Sequence, residues 1–159
     1  MRLTTLCYIE RDQCWLMMHR VKKEEDENAG KWIGIGGKTE PGETPEQCVK
    51  REVFEETGLT LTEYHFHGVI RFVSEMWEDE DMYLYSATGF EGELRTDCDE
   101  GELKWIDKSM IGDLPMWEGD SYFLKALLEG RDSINMVLTY EGRGDEEHLA
   151  TVKDLDLED

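Results

Sequence analysis

Basic residues are scarce in this sequence, which has 17 Lys and Arg against 38 Asp and Glu and a formal net charge of −21. A chain this acidic repels a phosphate backbone at long range, and its sequence has no basic stripe that could follow one. We therefore expect no nucleic-acid polymer as a partner. Most of the acidity is typical of a solvated, self-repelling surface.

Long apolar runs and paired cysteines are also missing. No segment approaches the roughly 20 apolar residues that cross a bilayer, and the N-terminus has no signal-peptide core. The four cysteines are scattered without a CxxC pair, and no histidines stand at zinc-ligand spacing. We expect a protein of the reducing cytoplasm without a membrane partner, and we assign no catalytic role to its four histidines.

The chain also lacks any linker rich in proline, glycine or serine and any internal repeat. Its composition, 39% hydrophobic and 10% aromatic, is sufficient for a globular core. We expect one domain over residues 1–159 that acts as a monomer or homodimer and whose acidic C-terminal residues fray.

Helix and strand signals follow one another along the chain. A capping box at Thr44 and a proline at the first helical position predict a helix over residues 45–57, which Gly58 ends. A second helix is expected over residues 121–129, with Asp120 as its cap. Strands are expected near residues 3–9, 14–20, 66–74, 82–90, 103–106 and 134–140. This order favours an α/β fold in which helices flank a mixed β-sheet.

Three glutamates gather on one face of the first predicted helix. Glu52, Glu55 and Glu56 are related by the spacings that place side chains within one helical turn. Their like charges oppose helix formation, whereas Mg²⁺ or Mn²⁺ would neutralise them. Gly36 and Gly37 precede the helix and let the backbone approach a metal and an anion closely. A solvated acidic helix face is the alternative interpretation.

The spacing of these residues resembles the Nudix box. Five residues separate Gly37 from Glu43, and seven more precede the run REVFEETGL at residues 51–59, so every fixed position of the motif is present. The chain is therefore similar to the Nudix hydrolases. The resemblance implies an α/β/α sandwich with a mixed β-sheet, a divalent metal, and water attack on a nucleoside diphosphate linked to a further group.

The same resemblance implies which groups hold the metal. The side chains of Glu52, Glu55 and Glu56 would bind Mg²⁺, with Mn²⁺ as the other candidate. The backbone carbonyl of Gly36 or Gly37 would complete the coordination. In this arrangement the metal would neutralise phosphate oxygens and lower the pKa of a bound water.

Further catalytic roles are implied for residues beside these ligands. Arg51 would pair with a glutamate and orient it, and Glu43 would support the helix. Glu56 or Glu55 would accept the proton of the attacking water. Some family members use an acid from a loop beyond the helix, and here the candidate is Glu100; an exposed loop acid is the alternative.

The resemblance extends over most of the chain to the MutT-like branch, which hydrolyses oxidised purine nucleoside triphosphates such as 8-oxo-dGTP. The segments AGKW at residues 29–32 and MWEGDSY at residues 116–122 resemble the two base-pocket segments of this branch. The resemblance implies that Trp117 stacks on the base and that Asp120 reads its polar edge.

Four more residues complete the expected substrate pocket. By the same resemblance, Trp32 and Phe72 would line it, while Arg20 and Lys38 would contact the phosphates of a small nucleotide. A phosphate site in so acidic a chain needs local positive charge. Ordinary core packing is the alternative for the aromatic side chains, and a plain surface cation is the alternative for Arg20 and Lys38.

Two positions depart from well-known members of the branch. Ile33 stands where some members have Asn, and Gly119 stands where they have a second Asp, so two polar groups that recognise an oxidised base are missing. We expect broader tolerance of purine triphosphates. Three alternatives remain open: a Nudix hydrolase of another nucleotide derivative, a non-catalytic Nudix-fold binding module, and an acidic interaction protein.

Overall fold

The structure is a computed structural model that describes residues 1–20, 30–95 and 101–157. The strands are β1 (Arg2–Arg11), β2 (Cys14–His19), β3 (Trp32–Ile33), β4 (Ile35–Lys38), β5 (Thr60–Val73), β6 (Glu80–Glu91), β7 (Glu102–Asp107), β8 (Met136–Glu141) and β9 (His148–Asp154). The α-helices are α1 (Pro45–Thr57) and α2 (Asp120–Leu128), and two 3-10 helices cover Lys108–Asp113 and Gly144–Glu146. Within these described ranges, no helix is long and apolar enough to cross a membrane.

The strands form one mixed sheet. Its main order is β3-β2-β1-β6-β5-β8-β9, with β4 added beside β1 and β7 beside β2. The pairs β1–β6 and β5–β8 are parallel, and the remaining pairs are antiparallel. β1 and β2 form a hairpin through Asp12 and Gln13, whose positive φ angles of 52° and 65° suit a tight two-residue turn.

Two hydrophobic cores lie on opposite faces of this sheet, and β1 contributes to both. Alternate residues of a strand point to opposite faces, so Leu6 and Tyr8 join one core and Cys7 and Ile9 join the other. The first core is covered by α2, through residues such as Phe123, and the second by α1. This layering confirms the predicted α/β/α sandwich with a mixed β-sheet.

The capping signals predicted for α1 are present as hydrogen bonds. The Thr44 hydroxyl accepts from the Gln47 amide at 3.1 Å, and the Gln47 side-chain oxygen accepts from the Thr44 amide at 3.0 Å. At the other end, Gly58 is left-handed with φ of 80°, and its amide donates to the Phe54 carbonyl at 2.9 Å. The predicted bounds of this helix, residues 45–57, are confirmed.

The expected cap of α2 is wrong. Gly119 is the residue that precedes the helix, no side chain caps it, and Asp120 is already helical. The Asp120 side chain is buried at 7% exposure, and it lines a cavity instead of turning back to the helix amides. The sequence pattern could not distinguish these two uses of an acid at the start of a helix.

In the described part of the acidic C-terminal segment, which ends at residue 157, the expected fraying is wrong for residues 148–154. Residues 148–154 form β9, which pairs with β8 along its length. The Arg131 guanidinium holds the end of this strand, because it donates to both carboxylate oxygens of Asp154 at 2.6 and 3.1 Å and to Asp156 at 3.2 Å. The two hydrogen bonds from Arg131 to Asp154 and the pairing of β9 with β8 therefore offset the repulsion between the acidic side chains.

Candidate active site

Arg51 joins the acidic side chains around α1 into one network. Its Nε and Nη2 atoms donate to the two carboxylate oxygens of Glu43 at 2.7 and 2.9 Å. Its Nη1 atom donates to Glu52 at 2.9 Å and to Glu55 at 3.1 Å, and Nη2 also reaches the Lys38 carbonyl at 3.1 Å. One guanidinium thus fixes the orientation of three carboxylates and links α1 to β4.

The pKa values around Arg51 follow from these contacts. Hydrogen bonds from Arg51 lower the pKa of Glu43 from 4.5 to about 2, against an opposing effect of burial. The carboxylates in turn raise the pKa of the Arg51 guanidinium, with the hydrogen bond to Glu43 as the largest cause. Glu43 is therefore ionised at neutral pH and serves as an anchor for Arg51.

The glycines of β4 bring the backbone against the glutamates of α1. The Gly36 amide donates to a carboxylate oxygen of Glu56 at 3.2 Å. A Cβ atom added to Gly37 would lie 2.6 Å from the Glu52 carboxyl carbon, and one added to Gly36 would lie 1.9 Å from the Thr5 carbonyl oxygen. Glycine is required at residue 36, where a side chain would meet the β1 backbone, and a side chain at residue 37 would displace the Glu52 carboxylate.

The three glutamates differ in their exposure. Glu56 is buried at 6%, the Glu52 side chain is 15% exposed, and the Glu55 side chain is 54% exposed. They share one face of α1, and that face is turned towards the glycine backbone of β4. Such a set of oxygen donors beside a close main chain has the chemistry that suits a hard divalent cation.

A cavity of about 510 Å³ begins beside this carboxylate cluster. A volume of this size is typical of small-molecule sites. The sequence-predicted residues that line it are Arg20, Ile33, Gly36, Gly37, Lys38, Phe72, Trp117 and Asp120. Gly36 and Gly37 connect the cavity to α1, since they contact Glu56 and Glu52.

Asp120 is the buried acid of the cavity. Burial raises its pKa from 3.8 to about 8; the negative charge of Glu80 adds to this, and the positive charge of Lys31 opposes it. Its carboxyl group makes no hydrogen bond to another described residue, and its oxygens face the cavity instead of being fully enclosed by protein. Asp120 is therefore mostly a neutral carboxylic acid at pH 7, able to donate one hydrogen bond and accept others.

Trp117 stands next to Asp120 on the cavity wall. Its ring packs edge-on against Tyr140 with centroids 5.6 Å apart, and the Lys31 ammonium lies 4.3 Å from its ring centroid. The Tyr140 hydroxyl accepts from the Gly119 amide at 2.6 Å. A Cβ on Gly119 would lie 2.7 Å from this hydroxyl. The glycine that replaces the second Asp at residue 119 therefore leaves room for the Tyr140 hydroxyl.

Trp32 stands apart from the other expected pocket residues. Its ring stacks on His19, with centroids 4.5 Å apart and planes 4° apart, and it packs against the core beneath α2. The neighbouring Ile33 does line the cavity and presents an apolar surface there. Glu100 lies outside the described residues, so its expected role is not placed.

Several cavity residues were missed by the sequence analysis. Glu80 accepts from the Thr4 hydroxyl at 2.7 Å and pairs with Arg2 at 3.2 Å. Tyr140 on β8 and Glu147, which directly precedes β9, complete the wall. No local motif marks these residues, because strands β1, β6 and β8 bring them together only in the folded sheet.

Comparison with known proteins agrees with the fold. The NUDIX domain model matches residues 1–127. The uncharacterized Nudix hydrolase YvcI of Bacillus subtilis is 29% identical over 140 residues, covering 86% of this chain and 85% of that protein. The oxidized purine nucleoside triphosphate hydrolase of Danio rerio is 38% identical over 109 residues, covering 67% of this chain and 69% of that protein.

A solved structure is similar along nearly the whole chain. The mutator MutT protein from Bacillus halodurans superimposes with a TM-score of 0.82 at 27% identity, covering 97% of each chain. This likeness includes the region beyond residue 127, where the domain model ends. The chain therefore belongs to the Nudix hydrolase family, in its MutT-like branch, and is a hydrolase of phosphoanhydrides.

Proposed function

We propose that this hydrolase acts on purine nucleoside triphosphates, with oxidised purine deoxynucleotides such as 8-oxo-dGTP as preferred substrates. The products would be the nucleoside monophosphate and pyrophosphate, and the role would be sanitation of the nucleotide pool. The observation that carries the proposal is the buried carboxyl group of Asp120, which lines the cavity without a hydrogen-bond partner among the described residues.

A buried polar group without a partner calls for an explanation, because its desolvation lowers stability. A purine edge presents both donors and acceptors, and a neutral carboxylic acid can pair with one of each. Trp117, beside Asp120, offers an aromatic surface on which a base can stack. We therefore assign base recognition to Asp120 and Trp117, with Phe72 and Ile33 as apolar walls.

At the other end of the cavity, the residues fit the divalent metal that Nudix hydrolases generally use. Glu52, Glu55 and Glu56 would hold Mg²⁺, and Mn²⁺ is the other candidate; a carbonyl of Gly36 or Gly37 would complete the shell. The fit rests on oxygen-only donors and on a backbone so close to Glu52 that a Cβ on Gly37 would lie 2.6 Å from its carboxyl carbon. A bound Mg²⁺ supplies charge neutralisation on phosphate oxygens and acidifies bound water.

The chain's own residues would orient the reacting groups. Arg51 keeps Glu52 and Glu55 in place through its hydrogen bonds at 2.9 and 3.1 Å. Glu56 or Glu55 would accept the proton of the attacking water, since both lie on the same helix face. Lys38 and Arg20, on the cavity wall, would bind the phosphates. Glu100 remains a proposed additional acid.

The alternative function is a Nudix hydrolase of another nucleoside diphosphate derivative, such as an unmodified dNTP, a dinucleoside polyphosphate or a nucleotide sugar. Apolar Ile33 on the wall favours this alternative, because it removes a polar contact that would discriminate between bases. A non-catalytic binding module is disfavoured because Glu52, Glu55 and Glu56 are all present and are held in position.

We also propose that the protein works in the cytoplasm as a monomer or homodimer. Cys7, Cys14 and Cys48 are free thiols, as is usual in a reducing compartment. Burial raises the pKa of Cys48 to about 11, so this thiol stays protonated and acts as a small packing group.

The test is a substrate panel of 8-oxo-dGTP, dGTP, dATP, a dinucleoside polyphosphate and ADP-ribose, assayed with Mg²⁺ and with EDTA. We expect kcat/KM for 8-oxo-dGTP to lead by about tenfold, which corresponds to about 1.4 kcal/mol of transition-state preference. A different leading substrate would replace the proposed specificity with the alternative. Absence of turnover of every compound with Mg²⁺ would contradict the proposed catalytic assignment.

A further inference from the structure

A second cluster of ligand-type side chains lies where β5 meets the segment between α2 and β8. His65 and His67 stand two residues apart on β5, a pair not counted in the sequence analysis as zinc ligands, and Asp132 follows α2. One ring nitrogen of each histidine and one carboxylate oxygen of Asp132 lie within 4.8 Å of one another. Nε2 of His65 contacts Oδ1 of Asp132 directly. None of these three described residues lines the cavity.

The backbone brings this cluster together and holds it. β5 has a bulge at His67, where its register with β6 shifts, and bulges re-aim side chains. Gly68 lets residues 132–135 pass close to β5, because a Cβ there would lie 2.1 Å from the Ile134 carbonyl oxygen. The Ile134 amide donates to the His67 carbonyl at 2.9 Å. Main-chain contacts therefore fix Asp132 beside the two imidazoles.

The hydrogen bonds of His67 set the tautomer that a metal ligand needs. Its Nδ1 atom lies 2.9 Å from the Asp132 carbonyl oxygen, which can only accept, so Nδ1 carries the hydrogen. In the neutral ring, Nε2 then has a lone pair, which accepts from the Ser86 hydroxyl 2.7 Å away; a metal ion bound at Nε2 would replace this hydrogen bond. A ring N–H on a backbone carbonyl is the arrangement that orients metal-bound histidines.

From this geometry we propose that His65, His67 and Asp132 bind a divalent transition-metal ion of the Zn²⁺ class, with a fourth position open to water. Tetrahedral Zn²⁺ holds its nitrogen and oxygen ligands at about 2.0–2.2 Å, so neighbouring donors lie about 3.4 Å apart. Donors already within 4.8 Å need only small movements, and the side chains of His65 and Asp132 are exposed enough to make them.

The donor set separates this site from the carboxylate cluster on α1. Two imidazoles and one carboxylate suit Zn²⁺ and similar ions, whereas oxygen-only ligands suit Mg²⁺. The ion would tie β5 to the segment after α2, which Arg131 already links to Asp154 on β9. The site would thus stabilise the packing of α2 and the C-terminal strands. It does not depend on which nucleotide the hydrolase prefers.

Isothermal titration calorimetry with ZnCl₂ tests the site, in buffer with saturating MgCl₂ so that the oxygen-only ligands are occupied. The unmodified chain is compared with His65→Ala and Asp132→Asn, which alter exposed side chains and should leave the fold intact. His148→Ala is the matched control, because this histidine is exposed on β9. Melting temperatures with and without ZnCl₂ provide the second readout.

We expect the unmodified chain and His148→Ala to bind one Zn²⁺ more than the two site variants, or to bind it roughly tenfold or more tightly. Zn²⁺ should also raise the melting temperatures of the unmodified chain and His148→Ala more than those of the two site variants. Equal Zn²⁺ binding by all four proteins, or no Zn²⁺ binding by the unmodified chain, would overturn the proposal.

Discussion

At the carboxylate end of the cavity, charged groups meet and are paired, whereas at Asp120 an acid is buried and left without a hydrogen bond among the described residues. The first end comes from one stretch of chain, β4 and α1, in which Arg51 contacts Glu43, Glu52 and Glu55. The second end combines side chains from β1, β6, α2 and β8. Paired charges can stay ionised, while an unpaired buried acid keeps its proton.

This difference separates the two tasks of the enzyme. An ionised, oriented set of carboxylates is suited to a cation and to proton acceptance during the chemical step. A neutral acid beside an aromatic ring is suited to recognising an uncharged base. Substitutions at the first end should therefore change kcat, and substitutions at the second end should change KM.

The largest expected effect is that of Glu56→Gln. We expect kcat to fall about 10²–10⁴-fold at saturating Mg²⁺, because the proposed metal ligand and base is lost. The glutamine oxygen can still accept from the Gly36 amide, so the melting temperature should change little. Glu46→Gln, an exposed position on the same helix, is the control and should keep its rate. A Glu56→Gln rate near that of the control would remove Glu56 from the mechanism.

Trp117→Ala should act on binding at the other end of the cavity. Loss of the stacking surface is expected to raise KM for purine triphosphates about 10–100-fold, with a smaller change in kcat. Trp105→Ala is the matched control, because Trp105 packs with Phe90 and Arg11 in the α1-side core region. The control should lose stability and keep its KM. Equal effects of the two substitutions on KM would assign Trp117 to packing alone.

Asp120→Asn should stabilise the protein while weakening substrate binding. The folded pKa of about 8 lies above the ordinary 3.8, so the unfolded chain releases this proton first and stability falls as pH rises between these values. The amide of the substituted side chain does not ionise and has no such cost. The free energy of unfolding of Asp120→Asn should therefore exceed that of the unmodified chain by an amount that grows from pH 4 and reaches about 1–3 kcal/mol near pH 8. Denaturant unfolding at several pH values checks this, with Asp113→Asn at an exposed position as the control. The same pH dependence of the unfolding free energy in both variants would contradict the assignment of Asp120 as a buried neutral acid.

The smallest expected effect concerns Glu43. Its folded pKa of about 2 lies below the ordinary 4.5, so its stabilising contribution is complete above pH 4.5 and is lost as pH falls towards 2. Glu43→Gln should cost about 1–2 kcal/mol at pH 7 and progressively less in this acid range. Glu40→Gln is the control, because Glu40 approaches Arg51 only at 3.6 Å and is 63% exposed. A pH-independent difference for Glu43→Gln would contradict the ion pair.

Much of the carboxylate end was predictable because its signals are local. The capping box at Thr44 and the left-handed Gly58 set the two ends of α1, and the spacing of the glutamates places them on one of its faces. The glycines of β4 also follow a local rule, since their backbone contacts α1 directly. The same short segment therefore predicts both the bounds of α1 and the resemblance to the Nudix family.

The remaining features depend on contacts between distant segments. Tyr140 and Glu80 reach the cavity through the parallel pairs β5–β8 and β1–β6, which no short motif marks. We expected β9 to fray because its segment is acidic. No sequence pattern indicates that Arg131 pairs with Asp154. Trp32 matched a pocket segment, but its ring stacks on His19 instead. Residue type alone does not determine which neighbour a side chain meets.

The most direct test of the central claim, that a neutral Asp120 reads the base, is the pH dependence of nucleotide binding without turnover. The dissociation constant of 8-oxo-dGMP would be measured from pH 6 to pH 9 for the unmodified chain and for Asp120→Asn. We predict that the unmodified chain loses affinity as pH rises through about 8, where Asp120 ionises, and that the variant loses much less. Equal loss of affinity in both proteins, or none in either, would contradict the account.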